Sequence, residues 1–180
     1  MQINHCQTDG NKEGGIMESF EITFFCDKQI NPDSTNSSDV LKELYFEKVH
    51  LENQAVFETF DCEGNDFFEV RCSIFGLVLT EENFPAFINC IAGFVEKAFD
   101  AFDACAFATG IYELTYYYIE NAHRISDLKN LLYKFPICFL REESQADING
   151  ARILLHTPDI LCVYRENAQQ ILSTTDYANQ

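Results

Sequence analysis

The sequence predicts an α+β fold: a single domain with a mixed or mainly antiparallel sheet, a long amphipathic helix at about 83–103, and shorter helices packed on one face. The main observation is a run of apolar residues that keeps three-four spacing throughout 83–103, as on one face of a helix. The second is a set of shorter segments around it with the alternation or composition of strands. Their order, β-α-β-β-α-β-α-β-β-β, favours one sheet with helices packed against it.

The chain length of 180 residues is typical of one domain that can bury a core without metal or disulfide staples. Residues 1–16 are polar and glycine-rich, which indicates a flexible N-terminal tail. We assign 17–173 to the α+β domain and 174–180 to a polar C-terminal tail. No apolar run approaches the roughly 18 residues that a membrane-spanning helix needs, so membrane insertion is not expected.

The shorter elements are predicted from alternation, from turn residues between them and from helix caps. The predicted strands are Phe20–Cys26, Ala55–Asp61, Phe67–Leu79, Ala106–Ile119, Ile137–Arg141, Arg152–Thr157 and Ile160–Arg165. The predicted short helices are Asp39–Glu47, capped by Ser37 or Ser38, a helix that Ser126 caps and that ends near Lys134, and Asn167–Leu172. Gly64-Asn65 lies between the second and third strands, which favours a hairpin there.

The long helix has a clear start. Asn83 can act as its N-cap, with Pro85 in the first turn, where the missing N–H is not needed. Thr80 is the competing cap, but an earlier start would bring the Pro85 ring against a preceding carbonyl. Buried phenylalanines contribute about 2 kcal/mol each, so the apolar stripe is sufficient to hold this helix against a sheet.

The polar face of the long helix carries a line of acids. Glu96, Asp100 and Asp103 follow at helical spacing, with only Lys97 beside them. Like charges at this spacing are unfavourable, as are acids near a helix C-terminus. Such departures from local stability are expected more often where a partner binds, and a solvated face is the alternative.

The net charge of −17 limits the partners that the chain can bind. Residues 17–103 hold 18 acids and five bases, whereas 104–180 hold nine acids and six bases. Such a field repels phosphate backbones and anionic lipid and attracts cationic surfaces. The sequence therefore disfavours direct binding of nucleic acid or membrane and favours a basic protein surface as the partner.

The predicted hairpin turn adds acids to this surface. Asp61, Glu63 and Asp66 supply carboxylates in a spacing that superficially resembles a calcium loop. The required glycine at the sixth position is Asp66, and the twelfth position is Cys72 rather than Glu. We therefore predict a solvated acidic turn and no metal.

The triplet Tyr116-Tyr117-Tyr118 is a candidate contact surface, because tyrosine is enriched at protein interfaces. On a strand, Tyr116 and Tyr118 share one face, and packing against the long helix is the alternative. The predicted partner-binding residues are Asp61, Glu63, Asp66, Glu96, Asp100, Asp103, Tyr116 and Tyr118.

No pattern indicates a catalytic residue, a metal site or a cofactor. The eight cysteines are spread singly without a C-x-x-C pair, which is typical of reduced apolar fillers in a cytoplasmic protein. None of the four histidines has a second ligand or base at a supporting spacing. No glycine-rich phosphate loop and no serine nucleophile motif is present.

These observations predict a non-enzymatic binding protein whose acidic face blocks a basic surface of a partner, such as a nuclease or a nucleic-acid-binding effector. In charge and size alone, the chain is similar to immunity proteins that neutralise nuclease toxins and to phage anti-defence proteins such as anti-CRISPR inhibitors. The alternative hypothesis is a small-molecule-binding or hydrolytic α+β enzyme with a non-contiguous site, for which His50 and His156 are the candidate residues. The sequence indicates no oligomeric state.

Overall fold

A computed structural model describes residues 19–32, 36–49, 54–61, 63–77, 80, 82–102, 105–110, 122–130, 137–141, 151–156 and 160–165. They form the predicted α+β fold. The strands are β1 (Ser19–Asp27), β2 (Ala55–Asp61), β3 (Phe67–Phe75), β4 (Cys105–Gly110), β5 (Ile137–Arg141), β6 (Ala151–His156) and β7 (Ile160–Arg165). The helices are α1 (Ser37–Lys48), α2 (Phe84–Ala101) and α3 (Ile125–Asn130).

All seven strands belong to one sheet with the order β2-β3-β1-β4-β5-β7-β6. Every neighbouring pair is antiparallel, so the mainly antiparallel sheet is confirmed. In the centre, Phe24 of β1 lies opposite Val70 of β3 and Ala108 of β4. Within the described part of the chain, strands β2 and β6 form the two edges.

One face of the sheet carries the main core. Alternate residues of β1 and β3 are fully buried there, because successive strand residues point to opposite faces. The long helix α2 packs on them through T-shaped ring pairs. These are Phe20–Phe87 at 4.9 Å, Phe24–Phe94 at 5.6 Å and Phe68–Phe102 at 6.2 Å between ring centroids. The helix therefore runs alongside β1 in the same direction.

The opposite face is also covered over β1 and β3. Phe25 and Phe67 point to that side, are fully buried and contact each other with ring centroids 6.1 Å apart. Leu128 of α3 is fully buried, and α3 contacts β1. The sheet is thus buried on both faces at its centre.

Helix α2 starts at the predicted position, but the predicted hydrogen bond from the Asn83 side chain to the helix N-terminus is not formed. The helix begins at Phe84 directly after Asn83, with Pro85 in the first turn. The Asn83 side chain does not cap the helix; its Oδ1 accepts the Thr80 N–H at 2.8 Å, and Thr80 Oγ1 accepts the Asn83 N–H at 3.3 Å. The two candidate caps therefore bind each other and close the turn that precedes the helix.

Four predicted boundaries were wrong by two residues or more, whereas the limits of β1 and the starts of β4 and β6 differ from the prediction by one residue. The long helix α2 ends at Ala101 rather than 103. β3 ends at Phe75 rather than Leu79, because Gly76 turns the chain with a φ of 73°. α1 begins at Ser37, so neither serine is its cap. α3 begins at Ile125, before the predicted cap Ser126, because Asp127 Oδ2 accepts the N–H groups ahead of the helix instead.

Several predictions lie outside the described residues. These are the tails 1–16 and 174–180, the strand beyond Gly110, the end of the third helix beyond Asn130, and the helix at 167–172. Among the helices that the structure does describe, none has the length and apolar character to cross a bilayer.

Candidate functional site

The predicted acidic residues that the structure describes lie on elements that end at the same end of the sheet. Phe102, just after α2, packs on Phe68 of β3, and Phe68 lies opposite Asp61, the last residue of β2. The C-terminal end of α2 therefore lies at the same end of the sheet as the β2–β3 turn. We call this surface the acidic end. Its described members are Asp61, Glu63, Asp66, Glu96 and Asp100.

The β2–β3 turn is held in place by contacts with two other segments. The Lys28 N–H donates to Asp66 O at 2.9 Å, and the Asp66 N–H donates to His123 O at 3.1 Å. Asp66 Oδ1 accepts the Ile125 N–H at 2.7 Å, and His123 Nδ1 lies 3.2 Å from Asn65 Oδ1. The acids of the turn are thus displayed on an ordered loop, and one carboxylate oxygen of Asp66 is already used within the fold.

Two acids of the acidic end form exposed ion pairs. Lys28 Nζ lies 2.6 Å from Asp61 Oδ1, and Lys97 Nζ lies 3.2 Å from Asp100 Oδ2. Arg141 donates to Phe99 O and Phe102 O, which brings a third cation to the C-terminal end of α2. The negative charge of this end is therefore smaller than the number of its carboxylates suggests.

The remaining members differ in exposure. Glu63 is exposed and forms no ion pair with any residue that the structure describes, whereas Glu96 is half-buried. Asp103, Tyr116 and Tyr118 lie outside the described residues, so their part in the site stays a prediction. The structure thus describes five of the eight predicted residues, and three of these five are exposed: Asp61, Glu63 and Asp100.

A second group of polar side chains lies on the face of the sheet opposite α2, and the sequence analysis missed it. We call it the sheet-face cluster. On β3 it contains Glu69, Arg71 and Ser73, all buried. Glu21 lies opposite Ser73, and Arg71 lies between Thr23 on one side and Glu58 on the other. Four potentially charged groups therefore meet across three neighbouring strands.

The pair Glu69–Arg71 is the best defined contact of the sheet-face cluster. Arg71 Nε and Nη2 donate to Glu69 Oε2 at 3.1 and 2.8 Å, with both side chains almost fully buried. The Arg71 guanidinium also lies 4.2 Å from the centre of the Phe60 ring. A buried pair of this kind gains little net stability, because both ions lose their hydration.

Glu21, on the neighbouring strand β1, has a raised pKa. Burial raises the pKa of its carboxyl to about 7, although a hydrogen bond with Ser73 and the charge of Arg71 act in the other direction. Its Oε2 and the Thr23 Oγ1 are buried and have no hydrogen-bond partner among the residues that the structure describes. A carboxyl with this pKa exchanges its proton near neutral pH, which is the property of a general acid or base.

The buried cysteines and the candidate histidines His50 and His156 do not extend either group. Cys26, Cys72 and Cys138 are buried, and burial raises the pKa of the Cys72 thiol. His156 lies on the edge strand β6, four strands away from Glu21, and His50 lies outside the described residues. No group of three or more His, Cys, Asp or Glu side chains within the described part of the chain could hold a metal ion.

Comparison with known proteins gave no match to any family model, curated protein or solved structure. The functional argument therefore depends on the geometry of this chain alone.

The sequence did contain a signal for the sheet-face cluster. The doublets Phe24-Phe25 and Phe67-Phe68 place one aromatic ring on each side of β1 and β3. Large aromatic side chains on both sides of a strand indicate that both faces are covered. The polar residues on the same side of these strands as Phe25 and Phe67 should then have been expected to be buried as well.

Proposed function

We infer that this chain is a binding protein whose acidic end engages a cationic surface of a partner protein and blocks it. The observation that carries this proposal is the contact of Phe102 with Phe68, which sets the end of α2 beside the β2–β3 turn. This contact supports a common surface for acids that are far apart in the sequence. The net charge of −17 on the chain attracts basic proteins over long distances and accelerates their association.

The internal ion pairs of the acidic end are compatible with partner binding. Asp61 and Asp100 are 66 % and 54 % exposed, and exposed ion pairs contribute only about 0–1 kcal/mol to stability. An arginine or lysine of a partner can therefore replace the half-exposed Lys97 at little cost. An arginine would also bind a carboxylate through two hydrogen bonds, which the internal lysines cannot do.

The finer proposal concerns the kind of partner. A cationic cleft that normally holds a phosphate backbone offers the positive charge that the acidic end complements. On this basis we place the chain in the cytoplasm as an inhibitor of a nuclease or another nucleic-acid-binding effector, acting as a nucleic acid mimic. Immunity proteins and phage anti-defence proteins, including anti-CRISPR inhibitors, act in this way.

Two variants with equal net charge test the proposal. The end variant replaces exposed acids of the acidic end: Asp61→Asn, Glu63→Gln and Asp100→Asn. The control variant replaces exposed acids elsewhere: Glu43→Gln, Glu47→Gln and Glu82→Gln. Each variant loses three negative charges from the total of −17, so only the position of the change differs.

The measurement is capture of proteins from a cell lysate by each immobilised form, followed by mass spectrometry and competition with a DNA duplex. We expect the wild type and the control variant to capture the same basic, nucleic-acid-binding protein, and the DNA to displace it. The end variant should fail to retain it. Equal capture by all three forms would refute the proposal, as would the absence of any protein that the DNA displaces.

The sheet-face cluster favours a second candidate function, a hydrolytic or small-molecule-binding enzyme. Glu21 can exchange a proton near neutral pH and lies beside Ser73 and the cation Arg71. If this site is catalytic, a screen of hydrolase substrates should reveal an activity whose pH profile titrates near pH 7. The Glu21→Gln variant should lose both the activity and this titration. An active Glu21→Gln variant, or a wild type that turns over nothing in the screen, would exclude this function.

A further inference from the structure

Strand β2 leaves one side of its backbone without a partner in the sheet. It pairs with β3 over Ala55–Asp61 without any shift in register. On its other side, no strand of the described chain adjoins it. The Phe75 N–H donates to Gln54 O at 2.9 Å, which fixes the phase of the ladder.

This phase determines which backbone groups point outward. Residues 54 and 75 form a hydrogen-bonded pair, and such pairs alternate along an antiparallel ladder. Alternate residues of β2 therefore direct their N–H and C=O groups toward β3, and the others direct theirs away from the sheet. The outward residues are Ala55, Phe57, Thr59 and Asp61.

The side chains along this edge are unusually apolar for a solvent-exposed strand. Val56 and Phe60 are 46 % and 36 % exposed, with the exposed Glu58 between them on the same face. On the helix side, Tyr45 contacts both Phe57 of β2 and Phe46 of α1, and Phe46 is 56 % exposed. Apolar side chains thus flank the free backbone on both faces of the strand.

Exposed edges of this kind are normally protected, because they pair readily with other strands. The described β2 has no proline and no bulge, and Glu58 and Asp61 are its only charged residues. A strand with a regular register and exposed apolar residues fits recognition by strand addition. In that mode, backbone hydrogen bonds supply affinity and alternate side chains supply specificity.

We propose that β2 binds an extended segment of the partner as an additional antiparallel strand, with a lysine or arginine opposite Glu58 and apolar residues opposite Val56 and Phe60. Opposite charges across a strand pair are favourable and like charges are not. This inference deepens the proposed function and rests on it for the positive charge of the partner. β2 leads directly into the acidic turn, so one cationic partner can contact both surfaces.

A second copy of the chain is the less suitable occupant. Two copies that pair symmetrically about Glu58 would set this carboxylate against its own copy. The net charge of −17 on each chain adds long-range repulsion. The charge pattern therefore favours a cationic strand from another protein.

The first test uses a blocked synthetic peptide, Thr-Val-Thr-Lys-Thr-Val-Thr, which matches β2 in length. Calorimetry should detect its binding, and NMR hydrogen exchange should show at least about tenfold slower exchange of the Phe57 and Thr59 amides. The Val56 and Glu58 amides, which already point to β3, should not change. A peptide with N-methyl groups on the two threonines that flank lysine keeps the charge but loses the backbone donors, and it should not bind.

The second test changes the strand. Thr59→Pro removes an outward N–H and should abolish peptide binding, whereas Thr59→Ala keeps the N–H and should bind like the wild type. The Glu58→Lys variant should reverse the preference and bind the peptide that carries glutamate in place of lysine. If Thr59→Pro does not fold, the N-methylated peptide and the Glu58→Lys variant still test whether β2 binds the peptide as an added strand.

Three outcomes would overturn the inference: no binding of the lysine peptide, equal binding of its N-methylated form, or a concentration-dependent dimer that protects the outward amides without peptide. In each case, loss of capture by the end variant would leave the proposed function standing. Conversely, the end variant could capture the partner normally while the peptide protects the β2 amides. That result would show that β2, and not the acidic end, is the binding surface.

Discussion

The two faces of the central strands differ in what they bury. Toward α2, β1 and β3 present Phe, Ile, Val and Cys side chains that fill an apolar core. On the other face, the same strands bury Glu69, Arg71 and Thr23 beside Phe25 and Phe67. The first face gains stability from every residue, whereas the second includes ions and hydroxyls that lose hydration. Most of the stability of the sheet therefore comes from the α2 side. The buried polar residues of the other face are the ones whose retention calls for a reason other than stability.

The largest expected effect belongs to the apolar face. Phe94 is fully buried and its ring contacts Phe24 and Tyr45, with centroids 5.6 and 5.5 Å apart. Phe94→Ala should lower the free energy of unfolding by about 3–5 kcal/mol, because the helix loses buried area and leaves a cavity. Urea denaturation measures the change. Phe46→Ala, at an exposed position in α1, is the matched control and should change stability little. A loss below about 1 kcal/mol in Phe94→Ala would show that the core is not organised around α2.

The next effect belongs to the buried ion pair of the polar face. Arg71→Leu should destabilise the protein by about 3 kcal/mol, because it leaves the buried Glu69 carboxylate without the bonds that Arg71 donates. The double variant Glu69→Leu with Arg71→Leu should recover most of this loss, since no buried charge remains unpaired. Thermal and urea unfolding of both variants check the contrast. A double variant that is less stable than Arg71→Leu would mean that the pair itself stabilises the fold.

The smallest stability effect depends on pH. The pKa of Glu21 is raised from its ordinary value of 4.5 to about 7, mainly by burial. The folded protein therefore keeps a proton that the unfolded chain releases between these two values, so the contribution of Glu21 to stability falls as the pH rises through this range. Near pH 4 both states are protonated and Glu21 makes no difference.

Glu21→Gln should therefore match the wild type at about pH 4 and be more stable by about 1–2 kcal/mol at about pH 8, after allowance for solvent screening of a side chain that is partly exposed. Urea denaturation at both values measures the difference. A constant difference between Glu21→Gln and the wild type at all pH values would contradict the raised pKa.

The same contrast explains what the sequence could predict. The α2 side follows from periodicity, since Phe87, Phe94 and the alternate residues of β1 obey the simple rules of one apolar face. The hairpin β2–β3 and strand β5 were predicted with correct starting residues, because alternation and turn residues mark them locally. The polar face could not be predicted in this way, because polar residues on a strand are read as solvent-facing unless something covers them.

The acidic end was predictable as a set of residues but not as a surface. Helical spacing placed Glu96 and Asp100 together, and the turn composition placed Asp61 and Glu63 together. Only the direction of α2 along β1 joins the two sets, and that direction depends on contacts such as Phe68 with Phe102. The ion pair of Asp61 with Lys28, and the hydrogen bond from the Ile125 N–H to Asp66 Oδ1, likewise depend on segments that are distant in the sequence.

The affinity of the captured partner across a series of salt concentrations tests the central claim most directly. Wild type and control variant should bind equally well at low salt and lose affinity steeply as salt rises, because screening weakens the attraction between charged surfaces. The end variant should bind at least about tenfold more weakly at low salt and depend less on salt. If all three forms bind with the same affinity and the same salt dependence, the acidic end is not the binding surface.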